Sequence, residues 1–322
     1  MIAFFIIISL FPSTIQRIIR NAFGASIARG ARILPFSFVP VRDLKMESGS
    51  RIGPFVFIRS KHVSMQRGAT IRSLNFIKVR SISLAEGSII DPIVLINCDY
   101  GPRSSLKVGR SSRIFSFCVI EPSEGVTIGA HVGIGGQCLI FCHGSWPNYL
   151  EGGPYGKGPV TIDDEVWIPW RVMILPNTQI GARAVIGAHS LVRGIVPSGQ
   201  FYSGVPAKLI PVKLWESEVD EDSKRLRIDQ IIESFHIFHE EKYRGAIRIR
   251  EIRNVTQDLG SSSADLENVF FSFDGFEKDE REKIAVAGGV IDFSSLRTYS
   301  LRPIGSIFAE FLSSYGIRVL DE

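Results

Sequence analysis

Histidine is the side chain best suited to proton transfer at neutral pH, and the chain has six of them in 322 residues. His143 lies in the segment FCHGSWPNYLEGGPYGKGP, which is rich in Gly, Pro and aromatic residues. An imidazole in such a loop can remove the proton of a nucleophile as that nucleophile attacks an electrophilic carbon. We predict that His143 is a general base; the alternative is a loop histidine with only a structural hydrogen bond.

Other residues of the same loop are candidates for binding and orientation. Trp146, Tyr149 and Tyr155 can stack on a sugar ring, or they can pack the loop onto the body of the protein. Glu151 is the nearest carboxylate along the chain that can orient His143. The remaining histidines are predicted to be structural, because no ligand set for a metal accompanies them; they are His62, His131, His189, His236 and His239.

The loop interrupts a repeat of six residues. From Val160 to Val192 an aliphatic residue recurs at every sixth position, and a smaller residue stands two positions before each one. This period fits neither a helix nor a single strand, so it predicts short parallel strands separated by corners. Weaker triplets with the same spacing begin at Ile27. Three strands per turn predict a triangular prism of about eight coils. The spacing widens to 22 between Ile140 and Ile162, which predicts a loop, residues 141–159, at one of its corners.

Three segments are predicted. Residues 1–24 comprise an apolar run too short to span a bilayer and an amphipathic helix with Ser13 as its N-cap and Arg17 and Arg20 on its polar side. This segment is expected to cap the open prism, to contact a membrane surface, or both. Residues 25–212 form the β-helix, and residues 213–322 form a small α+β domain. Helices are expected at 222–241, 278–285 and 304–314.

Composition narrows the classes of partner. The net charge of +4 is mildly basic, and no basic helix with interleaved aromatic residues occurs, so nucleic acid is not expected as a partner. The four cysteines have no metal-binding spacing and are expected to be buried thiols in a reducing compartment. The predicted localisation is cytoplasmic, with peripheral contact at the inner face of the membrane.

The segment VWIPWRVMILPNTQIGARAVIGAHSLVRGIVPSGQFYSGVPAKLI resembles the last coils of the hexapeptide-repeat acyltransferases, in particular the galactoside, maltose and polysaccharide O-acetyltransferase branch. This resemblance covers roughly residues 20–212. It implies a mainly β fold, a left-handed parallel β-helix, a homotrimer, acetyl-CoA as acyl donor, no metal, and the base at His143. It also implies a donor site between subunits at four residues: Trp170, Ala188, Arg193 and Lys208.

The expected activity is therefore transfer of an acetyl group to a sugar hydroxyl of a polysaccharide or a lipid-linked saccharide. An N-acyltransferase acting on an amino-sugar nucleotide shares the scaffold and the base. A metal enzyme of the carbonic-anhydrase kind would need three histidines across a subunit boundary, and His131 and His189 lack a third partner at suitable spacing. A non-catalytic scaffold is the remaining class, since one fold hosts many activities.

Overall fold

The computed structural model of the chain describes residues 2–98, 101–144, 147–215, 219–243, 247–251, 267–272, 289–293, 297–299, 308, 311–313, 317 and 320–321. These residues divide into two compact units, Met1–Trp215 and Glu216–Glu322. The predicted helix at 278–285 lies outside the described residues. We describe each unit by itself.

The first unit is a prism with three faces of short parallel strands. Face A contains Ser26–Ile27, Asp43–Met46, His62–Met65, Ser81–Leu84, Ser105–Val108, Val126–Ile128, Val160–Ile162, Gln179–Ile180 and Ile195–Val196. Face B contains Arg32–Ile33, Arg51–Ile52, Thr70–Ile71, Ile89–Ile90, Arg113–Ile114, Gly133–Ile134, Trp167–Ile168, Val185–Ile186, Phe201–Gly204 and Ala207–Ile210, the last pair being antiparallel. Face C contains Phe57–Arg59, Phe76–Lys78, Leu95–Asn97, Val119–Glu121, Leu139–Phe141, Met173–Ile174 and Leu191–Val192.

The six-residue period determines this architecture. In the core of the prism Ile162, Ile168 and Ile174 are fully buried, one on each face, and the equivalent residues of the other turns stack above and below them. The predicted fold class, a left-handed β-helix of hexapeptide repeats, is confirmed. The count of about eight coils was too low, because face A has nine strands. The ninth turn begins at Val196, only four residues after Val192, and so falls out of the period.

Two helices, α1 (Ile2–Ser9) and α2 (Ser13–Ala22), close the first turn of the prism. Side chains of α2 hydrogen bond the open strands: the Ser13 hydroxyl accepts from Ile33 N at 3.1 Å, and Arg20 Nη1 donates to Val39 O at 2.7 Å. Asn21 exchanges two bonds with the backbone of Ile27, of 2.9 and 3.0 Å. Ser13 therefore caps a strand of face B and not its own helix, whose N-cap is Pro12. No helix among the described residues is long and apolar enough to cross a bilayer.

The second unit packs one helix, α3 (Glu221–Tyr243), with a five-stranded sheet. Buried side chains of α3 form a core with buried residues of the strands and with Phe308 and Leu312. The strands follow one another in chain order and are parallel except for one antiparallel pair. They are Ile247–Glu251, Glu267–Ser272, Gly289–Asp292, Arg297–Tyr299 and Leu320–Asp321.

Candidate active site

The irregular segments of three successive turns meet at the corner between face C and face A. In the first of these turns the chain between Asn97 and Ser105 is longer than at the same corner of earlier turns, and in the next the corner runs from Glu121 to Val126. In the third the loop between Phe141 and Val160 leaves the prism. Because the strands of these turns stack in register, the three segments lie side by side. They line a cleft of about 250 Å³.

A short ribbon holds His143 at the base of the loop. His143–Gly144 pairs antiparallel with Gly156–Lys157, with His143 directly opposite Lys157. The N–H of Gly158 donates to the carbonyl of Cys142 at 2.9 Å, which closes the loop. Facing residues of an antiparallel pair project to the same side, so the imidazole and the Lys157 ammonium group share the cleft.

His143 is paired with a mostly buried carboxylate from the turn below. Its Nδ1 lies 2.8 Å from Oε2 of Glu121, whose side chain is only 13% exposed while that of His143 is 49% exposed. The same oxygen accepts from Ser123 Oγ at 3.2 Å and from Cys142 N at 3.3 Å. A carboxylate at Nδ1 selects the tautomer with its proton on Nδ1, which leaves Nε2 as a proton acceptor facing the cleft. The carboxylate that orients His143 is thus Glu121 and not Glu151.

A second carboxylate in the cleft holds two cations. Glu124, whose side chain is 7% exposed, contacts Nε of Arg103 with one oxygen and Nζ of Lys157 with the other, the latter at 2.7 Å. Hydrogen bonds from Arg103 and Lys157 lower the pKa of Glu124, and Glu124 in turn raises the pKa of both cations. The cluster therefore stays ionised at neutral pH and carries one net positive charge on the wall of the cleft.

The neighbouring thiol is not a nucleophile. Cys142 is fully buried, and its Sγ lies 3.4 Å from the carbonyl oxygen of Gly125. Burial raises the pKa of Cys142 to about 12, so the thiol stays protonated and unreactive near neutral pH. The reactive group that the cleft offers is the imidazole.

The predicted acceptor residues lie partly in this cleft. Tyr155 is among its lining residues, and the ring of Tyr149 packs against it with centroids 5.5 Å apart. Both rings are more than half exposed. Trp146 lies outside the described residues.

The predicted donor residues are distributed over two corners and a terminal hairpin. Trp170 and Ala188 occupy the same position of consecutive turns at the corner between faces B and C, where the N–H of His189 donates to the Trp170 carbonyl at 3.1 Å. The Trp170 ring covers Gly136 so closely that a Cβ there would lie 2.7 Å from the ring. Arg193 is exposed at the corner that carries His143, two turns further on. Lys208 is exposed on the hairpin strand opposite Ser203.

The other histidines occupy structural positions. His131 and His189 have positive φ at corners of the prism, and His62 pairs with Asp43 through Nδ1 at 2.7 Å. Over the part of the chain that the structure describes, no three His, Cys, Asp or Glu side chains are grouped so as to hold a metal ion.

Sequence reasoning missed four residues of the cleft: Arg103, Glu121, Glu124 and Lys157. A signal for Glu121 exists, since face C advances by twenty residues from Ile120 to Ile140 and so places Glu121 below Phe141. The irregular stretch near 100–105 is a second signal, because it precedes the same corner.

Comparison with known proteins agrees with the predicted resemblance, although no family model matches the chain. A provisionally assigned lipopolysaccharide biosynthesis O-acetyl transferase, WbbJ of Escherichia coli K12, is 45% identical over 62 residues, 18% of this chain and 32% of WbbJ. The galactoside O-acetyltransferase of the same organism is 31% identical over 109 residues, 33% of this chain and 54% of the relative. The matches thus span between a third and just over half of these relatives.

Solved structures include a hexapeptide-repeat acetyltransferase of Vibrio cholerae in complex with acetyl coenzyme A, which is 28% identical to this chain. The match has a TM-score of 0.36 and covers 41% of this chain and 71% of the other. The curated relatives are named acetyltransferases, and the resemblance to hexapeptide-repeat O-acetyltransferases is confirmed.

Proposed function

We propose that this chain is an acetyl-CoA-dependent O-acetyltransferase in which His143 acts as general base. The observation that carries the proposal is the pairing of His143 Nδ1 with the mostly buried Glu121 carboxylate at 2.8 Å beside an open cleft. The acceptor hydroxyl oxygen attacks the thioester carbonyl carbon while its proton passes to Nε2. The C–S bond then breaks, and the imidazolium returns the proton to the departing thiolate. Glu121 stabilises the imidazolium between these two steps.

The proposed acceptor is a sugar hydroxyl of a polysaccharide or a lipid-linked saccharide. Tyr155, with Tyr149 behind it, offers an exposed ring for stacking on a sugar. Arg103 and Lys157, held in place by Glu124, offer charged donors to the neighbouring hydroxyl groups. Trp146 keeps its predicted role in the same loop.

The proposed donor site follows the corner at Trp170 and Ala188. Ala188 is small and exposed and gives room there for a pantetheine chain, beside the bulkier Trp170. Arg193, at the corner that carries His143, and Lys208, on the terminal hairpin, are proposed to supply positive charge for the phosphates. Acetyl-CoA is a substrate in this scheme and not a resident cofactor.

We also propose a homotrimer that associates through face C. On this face the outward residue just before the buried aliphatic is apolar in all eight turns that contribute one, whereas its counterparts on faces A and B include many polar and charged side chains. The members on face C are Phe38, Phe57, Phe76, Leu95, Val119, Leu139, Met173 and Leu191. The outward residue just after the buried aliphatic is polar or charged in four of these turns, at Arg59, Lys78, Asn97 and Glu121. An apolar strip of this length is typical of a subunit interface. Association here would bring the corners at His143 and Trp170 to the boundary between subunits.

Peripheral contact with a membrane is proposed for the N-terminal helices. Helix α2 turns its polar side to the prism, so Ile15 and Ile18 are exposed, as are Ile6 and Ile7 of α1. The first 98 residues contain thirteen Lys and Arg against four Asp and Glu, a net charge of +9, while the whole chain carries +4. Exposed aliphatic side chains beside a basic surface suit an anionic cytoplasmic leaflet.

The test is release of free CoA from acetyl-CoA by the wild-type protein and by His143→Ala, with a panel of sugar and glycolipid acceptors. Acceptor-dependent release that falls about 100-fold or more in the variant supports the proposal. Faster turnover with amino-sugar nucleotides than with hydroxyl acceptors would instead indicate an N-acyltransferase. Failure to bind CoA at all would leave the prism a scaffold.

A further inference from the structure

A second cavity lies at the N-terminal end of the prism, away from the cleft of His143. Its volume is about 420 Å³, and it is formed by α1, α2 and the chain at the first turns. Most of its wall is apolar, but two arginines contribute to it. The lining residues are Phe4, Phe5, Arg20, Phe23, Ala25, Val41 and Arg42.

Arg20 is a buried cation with hydrogen-bonding capacity left over. The residue is 3% exposed, and only its Nη1 has a partner, the Val39 carbonyl at 2.7 Å. Nε and Nη2 are buried and have no acceptor among the residues that the structure describes. Its guanidinium carbon lies 5.3 Å from the centre of the Phe5 ring. Leaving donors of a buried charged group unpaired is costly, so an acceptor is expected to occupy the cavity beside them.

Capping of face C explains only part of this arrangement. The bond from Nη1 to Val39 satisfies one open strand, and a neutral donor such as Gln16, which bonds Phe11 O and Ile33 O, performs the same task on face B. Burial lowers the pKa of Arg20 to about 10, so the side chain remains charged at neutral pH. Charge on Arg20 is therefore retained without a carboxylate beside it in the described cavity wall.

The other residues that line the cavity indicate which groups the ligand carries besides its acceptor. Phe4, Phe5 and Phe23 offer apolar surface for a hydrocarbon chain, and Arg42 adds a second cation where its side chain is exposed. The cavity also adjoins the helices whose outer surface exposes aliphatic residues. An inorganic anion would leave the apolar wall formed by the phenylalanines in contact with water, and an uncharged lipid would leave the two unpaired donors of Arg20 without an acceptor.

We propose that this cavity binds one anionic lipid, with the phosphate or carboxylate of its headgroup on Arg20 and Arg42 and its chain along the three phenylalanines. The lipid would enter from the membrane surface proposed above, and the proposal rests on that contact for its supply in the cell. The acetyltransferase activity is not part of the argument.

The test uses the full chain and monomeric short-chain lipids in isothermal titration calorimetry. Dihexanoyl phosphatidic acid is compared with dihexanoyl phosphatidylcholine and with inorganic phosphate. We expect the anionic lipid to bind at least about tenfold more tightly than phosphatidylcholine, because phosphatidylcholine brings no net negative charge to Arg20. We expect a similar factor over inorganic phosphate, because phosphate brings no hydrocarbon chain to the phenylalanines. Equal affinity for phosphatidylcholine, or equal affinity for phosphate alone, would overturn the assignment of an anionic lipid.

Variants locate the binding. Ala25→Leu narrows the cavity without touching Arg20, and Arg42→Gln removes the exposed cation; each is expected to weaken phosphatidic acid binding by about tenfold. Arg110→Gln, an exposed arginine several turns away, is the matched control and is expected to bind normally. Unchanged binding to Ala25→Leu would refute the site, because the lipid would then bind elsewhere. Arg20→Gln is used only if its thermal unfolding shows that the first turn remains capped.

Cosedimentation with vesicles separates this proposal from membrane contact. Binding of monomeric phosphatidic acid without binding to anionic vesicles would keep the lipid site and refute the contact. Binding to vesicles without binding of the monomeric lipid would support the membrane contact and refute the lipid site.

Discussion

Replacing Glu121 by Gln removes the charge from the carboxylate behind His143 while keeping its shape. The amide oxygen of Gln can still accept from Cys142 N and Ser123 Oγ, which now bond Glu121 at 3.3 and 3.2 Å. The contact that loses most is the 2.8 Å pair with His143 Nδ1, because a neutral partner does not stabilise an imidazolium. The substitution therefore tests orientation and charge at His143 with little change in packing.

The expected size of the effect follows from that one contact. A hydrogen bond to a charged group contributes roughly 1.5–3 kcal/mol, and each 1.36 kcal/mol in the barrier changes a rate tenfold. We therefore expect kcat to fall about tenfold to a hundredfold. The acceptor KM should change little, because the Glu121 side chain is only 13% exposed and its Oε2 is already engaged by His143, Ser123 and Cys142.

The assay is a double-mutant cycle measured by CoA release at saturating acetyl-CoA. His143→Ala alone is expected to lose about 10² to 10⁴ in kcat. If Glu121 acts through His143, adding Glu121→Gln to that variant should have no further effect. Glu165→Gln, an exposed carboxylate 3.6 Å from Arg183, is the control and should leave turnover unchanged.

Two results would refute this reasoning. Additive losses in the double variant would mean that Glu121 acts on the reaction independently of His143. A rise in acceptor KM with unchanged kcat would make Glu121 a substrate-binding residue instead.

The other predictions concern the second carboxylate of the cleft and the core of the prism. Lys157→Gln should raise the acceptor KM by about tenfold, measured with the best acceptor of the panel, because it removes a charged donor. Glu124 has a pKa below its ordinary 4.5 when folded, so its contribution to stability is present at neutral pH and is lost as the pH falls through that lowered value. The difference in urea midpoint between wild type and Glu124→Gln should accordingly be present at pH 7 and vanish in strong acid. Gly109→Ala should lower the free energy of unfolding by about 1–3 kcal/mol in the same assay, since its Cβ would lie 2.3 Å from the backbone of Gly129.

The prism could be predicted because its signal is local and repeated. Ile162, Ile168 and Ile174 are buried on three different faces, yet each is recognised by its distance of six residues from the next. The loop with His143 is visible for the same reason, as an interruption of that spacing. A spacing that is repeated over many turns predicts where the next strand lies, and a break in that spacing indicates a loop.

Glu121 could not be recognised in this way, because its role depends on the register between turns. It stands 22 residues before His143 in sequence and next to it in space, and the loop histidine has nearer carboxylates along the chain. Arg103 is still harder to recognise from the sequence, because it comes from an insertion two turns before the loop that holds His143. In this fold the number of residues between stacked positions equals the number of residues in one turn, and the irregular corners change that number.

Helix α2 shows a different limit. Amphipathic spacing predicts its two sides but not which of them faces the prism, and the usual rule that the apolar side of a helix faces the protein does not hold here. Gln16 and Arg20 are buried while Ile15 and Ile18 are exposed. The first turn of a β-helix presents unpaired N–H and C=O groups, and these require polar side chains from whatever covers them.

The location of both proposed sites follows from this demand for backbone pairing. Along the faces every strand other than the end strands is hydrogen bonded to the turns above and below, so an inserted residue there would break two ladders. A corner can lengthen without such a loss, and this chain does so twice at the corner between faces C and A, at Asn97–Ser105 and at Phe141–Val160. At the N-terminal end of the prism the first strands have no turn before them, and side chains of the covering helix hydrogen bond their backbone groups instead. Changes in the Arg103 segment can therefore alter the acceptor that the cleft receives while the prism that holds His143 against Glu121 remains the same.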